Sequence, residues 1–139
     1  MPESLLLLVA ACALIDTEDR VLITQRPENK PMAGLWEFPG GKIENGERPE
    51  QTVMREMEEE LGVIISEDSL SPFTFASHAY PEFHLLMPCF LCRRWKGDVI
   101  AREGQQTAWV HLKDLGHENN LFPMPPADKP LIPLIRKLL

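Results

Sequence analysis

The segment from Pro49 to Gly62 places the strongest limits on what this chain can fold into. Proline suits the first position of a helix and glycine the position just after its end, so a helix is predicted over 49–61. The apolar residues of this segment fall within roughly a 100° arc at the helical step and form a core-facing side. They are Val53, Met54, Met57 and Leu61. Such a helix needs a second layer of structure to cover its apolar side.

The last turns of this helix contain four glutamates where electrostatics disfavours them. A helix C-terminus has partial negative charge, and like charges three or four residues apart repel each other. With Glu56 at 0° and a step of about 100° per residue, Glu59 falls at about 300° and Glu60 at about 40°. Glu58 falls at about 200° and is expected to point to solvent. The three converging carboxylates offer the oxygen ligands that Mg²⁺ prefers, and a solvated acidic face is the alternative interpretation.

Hydrophobic runs on both sides of the helix predict β-strands. The predicted strands are Leu5–Ile15, Arg20–Gln25, Val63–Ile65, Leu70–Ser77, His84–Trp95 and Thr107–His111. Residues 27–48 are rich in proline, glycine and polar groups and predict a long loop with a short element at Leu35–Phe38. A short helix is expected at Leu112–Leu115 and a last helix at Leu131–Leu139. This alternation predicts an α/β (α+β) fold, a mixed β-sheet sandwiched between α-helices, in a single domain over 1–139.

Composition limits the compartment and the partners of the chain. Apolar and charged fractions of 44% and 25% are those of a globular protein, and a net charge of −7 is unsuited to a nucleic-acid groove. The apolar run Leu5–Ile15 is too short to span a membrane, and residues 1–4 lack the Lys or Arg of a signal peptide. Cys12, Cys89 and Cys92 are too few for a zinc site and are predicted to be core residues. We therefore expect a cytoplasmic protein that binds neither nucleic acid nor membrane.

The glutamates belong to a longer sequence motif that covers residues 41–63, GKIENGERPEQTVMREMEEELGV. Gly is followed by five residues, Glu, seven residues, Arg-Glu, an aliphatic position, one residue, Glu-Glu, one residue, Gly and an aliphatic residue. This resembles the signature of the Nudix hydrolase family, with one mild departure at Met57, where the family has Ile, Leu or Val. The resemblance implies a Nudix fold and Mg²⁺-dependent hydrolysis of a nucleoside diphosphate linked to a further group, with Mn²⁺ as a substitute metal.

The resemblance also implies roles for residues of the motif. In the family, the positions of Glu56, Glu59 and Glu60 hold the metals, with help from the Gly40 carbonyl. Glu47 pairs with Arg55 and fixes the loop against the helix. The fixed glycines of the motif correspond to Gly41 and Gly62.

Beyond the motif, the chain resembles the MutT-type branch, which sanitises oxidised nucleoside triphosphates such as 8-oxo-dGTP. The similar stretches are ITQRPENKPMAGLWEFPGGKIENGERPEQ, RWKGDVIAREGQQTAWV and FPMPPADKPLI. The resemblance implies that Arg26 contacts phosphate, Phe38 lines the nucleobase pocket and Tyr80 helps to enclose the base. Glu103 is implied as a further metal ligand or the general base. Each has a structural alternative: a surface arginine, a core phenylalanine, a rim tyrosine and a loop charge. The implied products are a nucleoside monophosphate and pyrophosphate, and the branch is monomeric by default.

Asp128 leaves the preferred base open. The best-known member of the branch has Asn in the same Pro-Pro-Ala-x motif, and Asn donates and accepts hydrogen bonds at once, whereas an ionised Asp only accepts. Related CTP pyrophosphohydrolases have Ala-Asp here, so 8-oxo-dGTP is favoured and CTP or a modified pyrimidine nucleotide is the alternative. A non-catalytic module that reads a modified base is disfavoured because the glutamate set is complete. An N-cap of the last helix is the structural alternative for Asp128.

Overall fold

The computed structural model describes residues 5–116 and 122–139. The first four residues, used above in the prediction on a signal peptide, lie outside this part. The described part contains seven strands and two α-helices, with 3₁₀ turns at Glu67–Ser69 and Leu112–Asp114. The strands and helices are β1 (Leu5–Leu14), β2 (Arg20–Gln25), β3 (Trp36–Glu37), β4 (Gly40–Lys42), α1 (Pro49–Leu61), β5 (Leu70–Ala79), β6 (Phe83–Cys92), β7 (Thr107–His111) and α2 (Leu131–Arg136).

The strands form two sheets, with the orders β4-β1-β6-β5 and β3-β2-β7. The first sheet is mixed. Its strands β1 and β6 are parallel, with Ala11 opposite Cys89, whereas the pairs β1–β4 and β5–β6 are antiparallel. The second sheet is antiparallel throughout. An isolated bridge between Ile15 and Val21 joins the end of β1 to β2. The predicted α/β (α+β) class, with a mixed sheet and helices, is confirmed, and the division of the strands into two sheets is a further feature.

The helices cover opposite faces of the mixed sheet, as the alternation of side chains along β1 dictates. Ala10, Cys12 and Leu14 pack with the apolar side of α1, where Met57 and Leu61 are fully buried. The intervening residues of β1, Ala11 and Ala13, belong to a second core. It also contains Ile15, just after β1, and residues of α2 and the loop before it: Ala127, Leu131 and Ile135. Neither helix in the described part is long and apolar enough to cross a membrane.

The three cysteines are core residues, as predicted. All are buried and none forms a disulfide. Cys89 belongs to the α2 side of the sheet, and Cys12 and Cys92 belong to the α1 side. The C-x-x-C spacing therefore places its two sulfurs on opposite faces of β6, where they cannot bind one metal ion.

Several boundaries differ from the prediction. A strand at Val63–Ile65 is wrong, since only Ile64 pairs there, in an isolated bridge to Lys96. Within the predicted loop 27–48, β4 was missed because its two glycines resemble turn residues. Gly40 is required in β4, since a Cβ there would overlap the backbone of Ala10 on β1. Helix α2 ends at Arg136, three residues earlier than predicted, because the N–H groups of Leu138 and Leu139 bond to the carbonyls three residues back, as in a turn, and not four.

Candidate active site

Helix α1 begins and ends as its sequence predicts. Arg48 is the N-cap, Pro49 follows it at the first helical position, and the chain leaves the helix at Gly62. Gly62 has φ 70°, the left-handed conformation that favours glycine, and its N–H donates to the Glu58 carbonyl at 3.0 Å. The Glu58 side chain is exposed, as predicted, and the Glu59 side chain is exposed as well.

A two-pronged ion pair fixes the loop before α1 against the helix. Arg55 Nε donates to Glu47 Oε2 at 2.8 Å, and Arg55 Nη2 donates to Glu47 Oε1 at 3.0 Å. Glu47 Oε1 also accepts from Thr52 Oγ1 at 2.7 Å and from the Glu44 N–H at 3.1 Å. These bonds, from Arg55 first and then Thr52, lower the pKa of Glu47 to about 2. The Glu47 carboxylate therefore stays ionised and keeps Arg55 in place.

The Arg55 guanidinium nitrogen that does not bind Glu47 faces the acidic residues of the helix. Its Nη1 donates to Glu56 Oε1 at 2.7 Å and lies 3.4 Å from Glu59 Oε2. The Glu59 side chain is 58% exposed, against 15% for Glu56, so its carboxylate can change rotamer more easily. One guanidinium thus compensates part of the charge that the helix end would otherwise disfavour.

Glu56 and Glu60 bring their carboxyl groups together. Burial, a hydrogen bond to Glu56 and the charges of Glu56, Glu103 and Glu37 hold the pKa of Glu60 well above its usual range. Burial and the neighbouring carboxylates therefore keep Glu60 protonated over a wider pH range than an exposed glutamate. The structure therefore places the predicted residues Glu56, Glu60 and Glu103 near one another.

The donor set fits a hard divalent cation. All of its side-chain donors are carboxylate oxygens, which suit Mg²⁺ and Mn²⁺. Gly41 leaves room for them, since a Cβ at this position would overlap the Glu56 carboxyl group. Gly40 is its neighbour on β4 and pairs with Ala11 of β1. Within residues 5–116 and 122–139, no three acidic, His or Cys side chains already form a group that could hold an ion. Glu59 in particular faces Arg55.

Replacing Gly41 with Ala is expected to weaken Mn²⁺ binding by about tenfold while the fold is retained. The added Cβ displaces the Glu56 carboxyl, the mobile end of a side chain, and leaves the strand pairing of β4 unchanged. Mn²⁺ titration followed by electron paramagnetic resonance measures the affinity, and thermal unfolding measures the fold. Lys42→Ala, on the next and exposed residue of β4, is the control. Equal Mn²⁺ affinities of Gly41→Ala and the wild type would contradict the proposed need for a residue without a side chain beside the Glu56 carboxyl group.

A second acidic group lies in the core, around Asp128. The side chain is 5% exposed, and its Oδ2 accepts the Phe38 N–H at 3.2 Å. Burial first, and then the charge of Glu37, raise the pKa of Asp128 to about 7. The alternative of a helix cap is wrong, because Pro130 occupies the N-cap of α2 and no side chain caps it. The Asp128 carboxyl instead faces the β3–β4 connection.

The other residues predicted to contact the base lie around Asp128. The Phe38 ring is 3% exposed and belongs to the core on the α2 side of the sheet. Tyr80 Oη accepts the N–H of Ala127, the neighbour of Asp128, at 3.3 Å. The Tyr80 ring stacks on Phe83 with a centroid distance of 5.0 Å. Tyr80 is half-buried and therefore borders the same region as Asp128.

Arg26 is bound to Glu37, a residue that the sequence analysis missed. Arg26 Nη1 donates to Glu37 Oε2 at 2.9 Å, and Arg26 Nε donates to the Pro31 carbonyl at 2.8 Å. Burial raises the pKa of Glu37, and its charge in turn raises the pKa values of both Glu60 and Asp128. Glu37 directly precedes Phe38, whose N–H binds Asp128, and lies four residues before Gly41, which packs against the Glu56 carboxyl group. A charged residue between Trp36 and Phe38 was the sequence signal that could have identified it.

Known proteins resemble this chain in sequence and in fold. The family model described as NUDIX domain matches residues 6–135. An 8-oxo-dGTP diphosphatase of Escherichia coli (strain K12) is 36% identical over 130 residues, covering 94% of this chain and 96% of that protein. A CTP pyrophosphohydrolase of the same strain is 32% identical, covering 86% and 84%. A structure of MutT, studied from Aliivibrio salmonicida and Vibrio cholerae, has 31% identity and a TM-score of 0.80, covering 96% and 99%.

Proposed function

The chain belongs to the Nudix hydrolase family, and from that premise we propose that it is a Mg²⁺-dependent nucleoside triphosphate pyrophosphohydrolase whose preferred substrate is 8-oxo-dGTP. The products are 8-oxo-dGMP and pyrophosphate, formed by attack of water at the β-phosphorus. The reaction removes an oxidised nucleotide from the cytoplasmic pool before a polymerase can incorporate it. The protein acts as a monomer and needs no nucleic-acid or membrane partner.

The observation that supports this proposal best is the short segment 37–41, which contacts both Asp128 and Glu56. The Phe38 N–H in this segment binds the Asp128 carboxyl, and Gly41 packs against the Glu56 carboxyl group. A metal-binding helix and a buried base-reading group are therefore close enough for one nucleotide to contact both. A solvated acidic helix face would not require a buried aspartate on the other side of the same region.

In this proposal, Glu56, Glu59, Glu60 and Glu103 hold the metal together with the Gly40 carbonyl. Held by these oxygens, Mg²⁺ would neutralise charge on the substrate phosphate and favour ionisation of the attacking water. Arg26 is the phosphate contact, which it reaches by exchanging its bond with the Pro31 carbonyl while it stays paired with Glu37. Glu103, on an exposed loop, remains the alternative candidate for the general base.

The environment of Asp128 favours the oxidised guanine. A pKa of about 7 means that its neutral and ionised forms are both populated at neutral pH. The neutral carboxyl group donates one hydrogen bond and accepts another, as an Asn side chain does. Its Oδ2 already accepts from the Phe38 backbone, so the other oxygen remains for the base. Phe38 and Tyr80 enclose the base beside this carboxyl.

A second candidate is hydrolysis of CTP or a modified pyrimidine nucleotide. The relative named CTP pyrophosphohydrolase is 32% identical to this chain. The ionised form of Asp128 accepts a hydrogen bond from an exocyclic amine such as that of cytosine. The two candidates therefore differ in the protonation state of one side chain.

The test is a panel of 8-oxo-dGTP, dGTP, CTP and 5-methyl-dCTP with Mg²⁺, compared by kcat/KM. We expect 8-oxo-dGTP to exceed the other substrates by about 100-fold or more, since a site with a matched donor and acceptor rejects bases that leave them unpaired. In isotope-labelled water, the heavy oxygen should enter pyrophosphate and not the monophosphate. A preference for CTP would overturn the leading substrate, and no turnover of any triphosphate would overturn the proposed function.

A further inference from the structure

The exposed segment 100–105, which contains Glu103, is tied to the C-terminal end of α1. Residues 101–104 are exposed and lie outside any strand or helix. Four hydrogen bonds nevertheless connect the segment to the last carbonyls of the helix. They run from Ile100 N to Leu61 O at 2.8 Å, Arg102 N to Glu60 O at 2.9 Å, Gln105 Nε2 to Glu60 O at 3.2 Å and Arg102 Nη1 to Glu58 O at 3.4 Å.

Arg102 supplies the positive charge that this helix end lacks. The last turn of α1 contains no basic residue of its own. The Arg102 guanidinium lies against Gly62, where an added Cβ would be only 2.9 Å from Nε. Gly62 is therefore needed both for its left-handed backbone and for the close approach of the arginine. A cation at this position offsets the negative end of the helix dipole and the neighbouring glutamates.

The same segment fixes the backbone of Glu103. The Glu103 N–H donates to Gln105 Oε1 at 3.0 Å, while the amide nitrogen of that glutamine binds the Glu60 carbonyl. Two residues that hydrogen-bond to α1 therefore flank Glu103 in the sequence: Arg102 precedes it and Gln105 follows two residues later. Without these contacts its exposed carboxylate would have no fixed place relative to the helix.

We propose that Arg102 is a positioning residue, which holds the segment 100–105 on the end of α1 so that the Glu103 carboxylate faces Glu60 and completes the metal-binding set. The inference deepens the proposed function and rests on it for the identity of the reaction. The competing explanation is a helix cap that stabilises the fold and has no effect on the metal site.

The direction of a charge effect separates the two explanations. Removing a positive charge near a cation site strengthens cation binding if charge alone matters. Releasing Glu103 from the site weakens cation binding instead, by about tenfold, as for other residues that orient metal ligands. Arg102→Met removes the charge and the hydrogen bond at nearly constant length, and Arg102→Lys keeps the charge.

The experiment measures Mn²⁺ affinity of the nucleotide-free protein by electron paramagnetic resonance, together with thermal unfolding. We expect Arg102→Met to weaken Mn²⁺ binding about tenfold and Arg102→Lys to recover most of it. In steady-state assays Arg102→Met should lower kcat and raise the Mg²⁺ concentration for half activity, with little change in the KM for nucleotide. Arg93→Met, which removes an exposed arginine just after β6, is the matched control and should change neither quantity.

A double-mutant cycle shows whether Arg102 acts through Glu103. Arg102→Met added to Glu103→Gln should weaken Mn²⁺ binding no further, because the ligand that the arginine orients is already lost. Additive losses, unchanged Mn²⁺ affinity with a lower melting temperature, or a wild type that binds no Mn²⁺ would each overturn the inference. A wild type that binds Mn²⁺ but hydrolyses none of the panel would overturn the proposed function and leave the Mn²⁺ cycle decisive for Arg102.

Discussion

Replacing Glu56 with Gln is expected to abolish turnover of 8-oxo-dGTP, by about a thousandfold or more in kcat/KM, while the fold stays intact. The Glu56 carboxyl lies over Gly41, binds Arg55 Nη1 at 2.7 Å and contacts Glu60. An amide has nearly the same shape but lacks the charge that a metal ligand provides at this position. Steady-state assays over a range of Mg²⁺ concentrations, with circular dichroism as the check on folding, measure the effect.

The same substitution should stabilise the metal-free protein. The pKa of Glu60 is raised by burial and by Glu56, so the folded state binds a proton that the unfolded state releases. Stability from this group is fully present below the unfolded pKa and is lost as pH rises toward the folded pKa. Glu56→Gln removes the neighbouring charge and should reduce that loss. Melting temperatures in a chelator at about pH 6 and about pH 9 should therefore diverge more in the wild type than in the variant.

Glu58→Gln is the matched control for both effects. It removes one charge from the same turn of α1, but its side chain is exposed and lies away from Glu56 and Glu60. We expect its activity and its pH dependence of melting to equal those of the wild type. Full activity in Glu56→Gln would contradict the metal site. Equal losses in both variants would show that the total charge of the helix end matters and not the converging carboxylates.

The helix and its acidic edge could be predicted because their signals are local. Pro49, Gly62 and the apolar spacing determine α1 without information from the rest of the chain. The helical step alone separates Glu58 from Glu56, Glu59 and Glu60. In the structure Glu58 is exposed and Glu56 and Glu60 meet, but Glu59 is also exposed and faces Arg55. The strand at Val63–Ile65 failed for the opposite reason. This short apolar run fits a strand pattern, but in the fold only Ile64 forms a β-bridge, and its partner is Lys96.

The base-reading side could not be predicted in the same way because its contacts join distant parts of the chain. Asp128 meets the Phe38 backbone across 90 residues of sequence, and nothing local marks that encounter. The pairing of Arg26 with Glu37 depends in the same way on the register between β2 and β3, a strand of only two residues. Sequence resemblance identified several of the participants, but the burial that shifts their pKa values emerges only from the packed fold.

Replacing Asp128 with Asn is expected to make base selectivity independent of pH. In the wild type, the preference for 8-oxo-dGTP over CTP should fall as pH rises through about 7, because ionisation of Asp128 removes its donor. Asn keeps a donor and an acceptor at every pH. The variant should therefore hold a constant preference for 8-oxo-dGTP and lose about tenfold or more in kcat/KM for CTP.

Stability provides an independent readout of the same carboxyl group. Because the folded pKa of Asp128 is raised from 3.8 to about 7, the wild type loses stability from this group as pH rises between those values. The loss is as much as about 4 kcal/mol, at 1.36 kcal/mol for each pKa unit. Asp128→Asn should therefore gain stability over the wild type as pH rises and keep a constant advantage above about pH 7.

Chemical denaturation across this pH range measures the gain, and exposed Asp114→Asn is the control that removes a carboxylate from the surface. A stability gain in Asp128→Asn with unchanged selectivity would mean that the carboxyl is buried as described but does not contact the base. Selectivity that follows pH equally in the wild type and the variant would mean that another group reads the base. Only the joint result assigns base recognition to Asp128: the selectivity of the variant no longer changes through about pH 7, and its stability gain over the wild type grows up to about pH 7 and then stays constant.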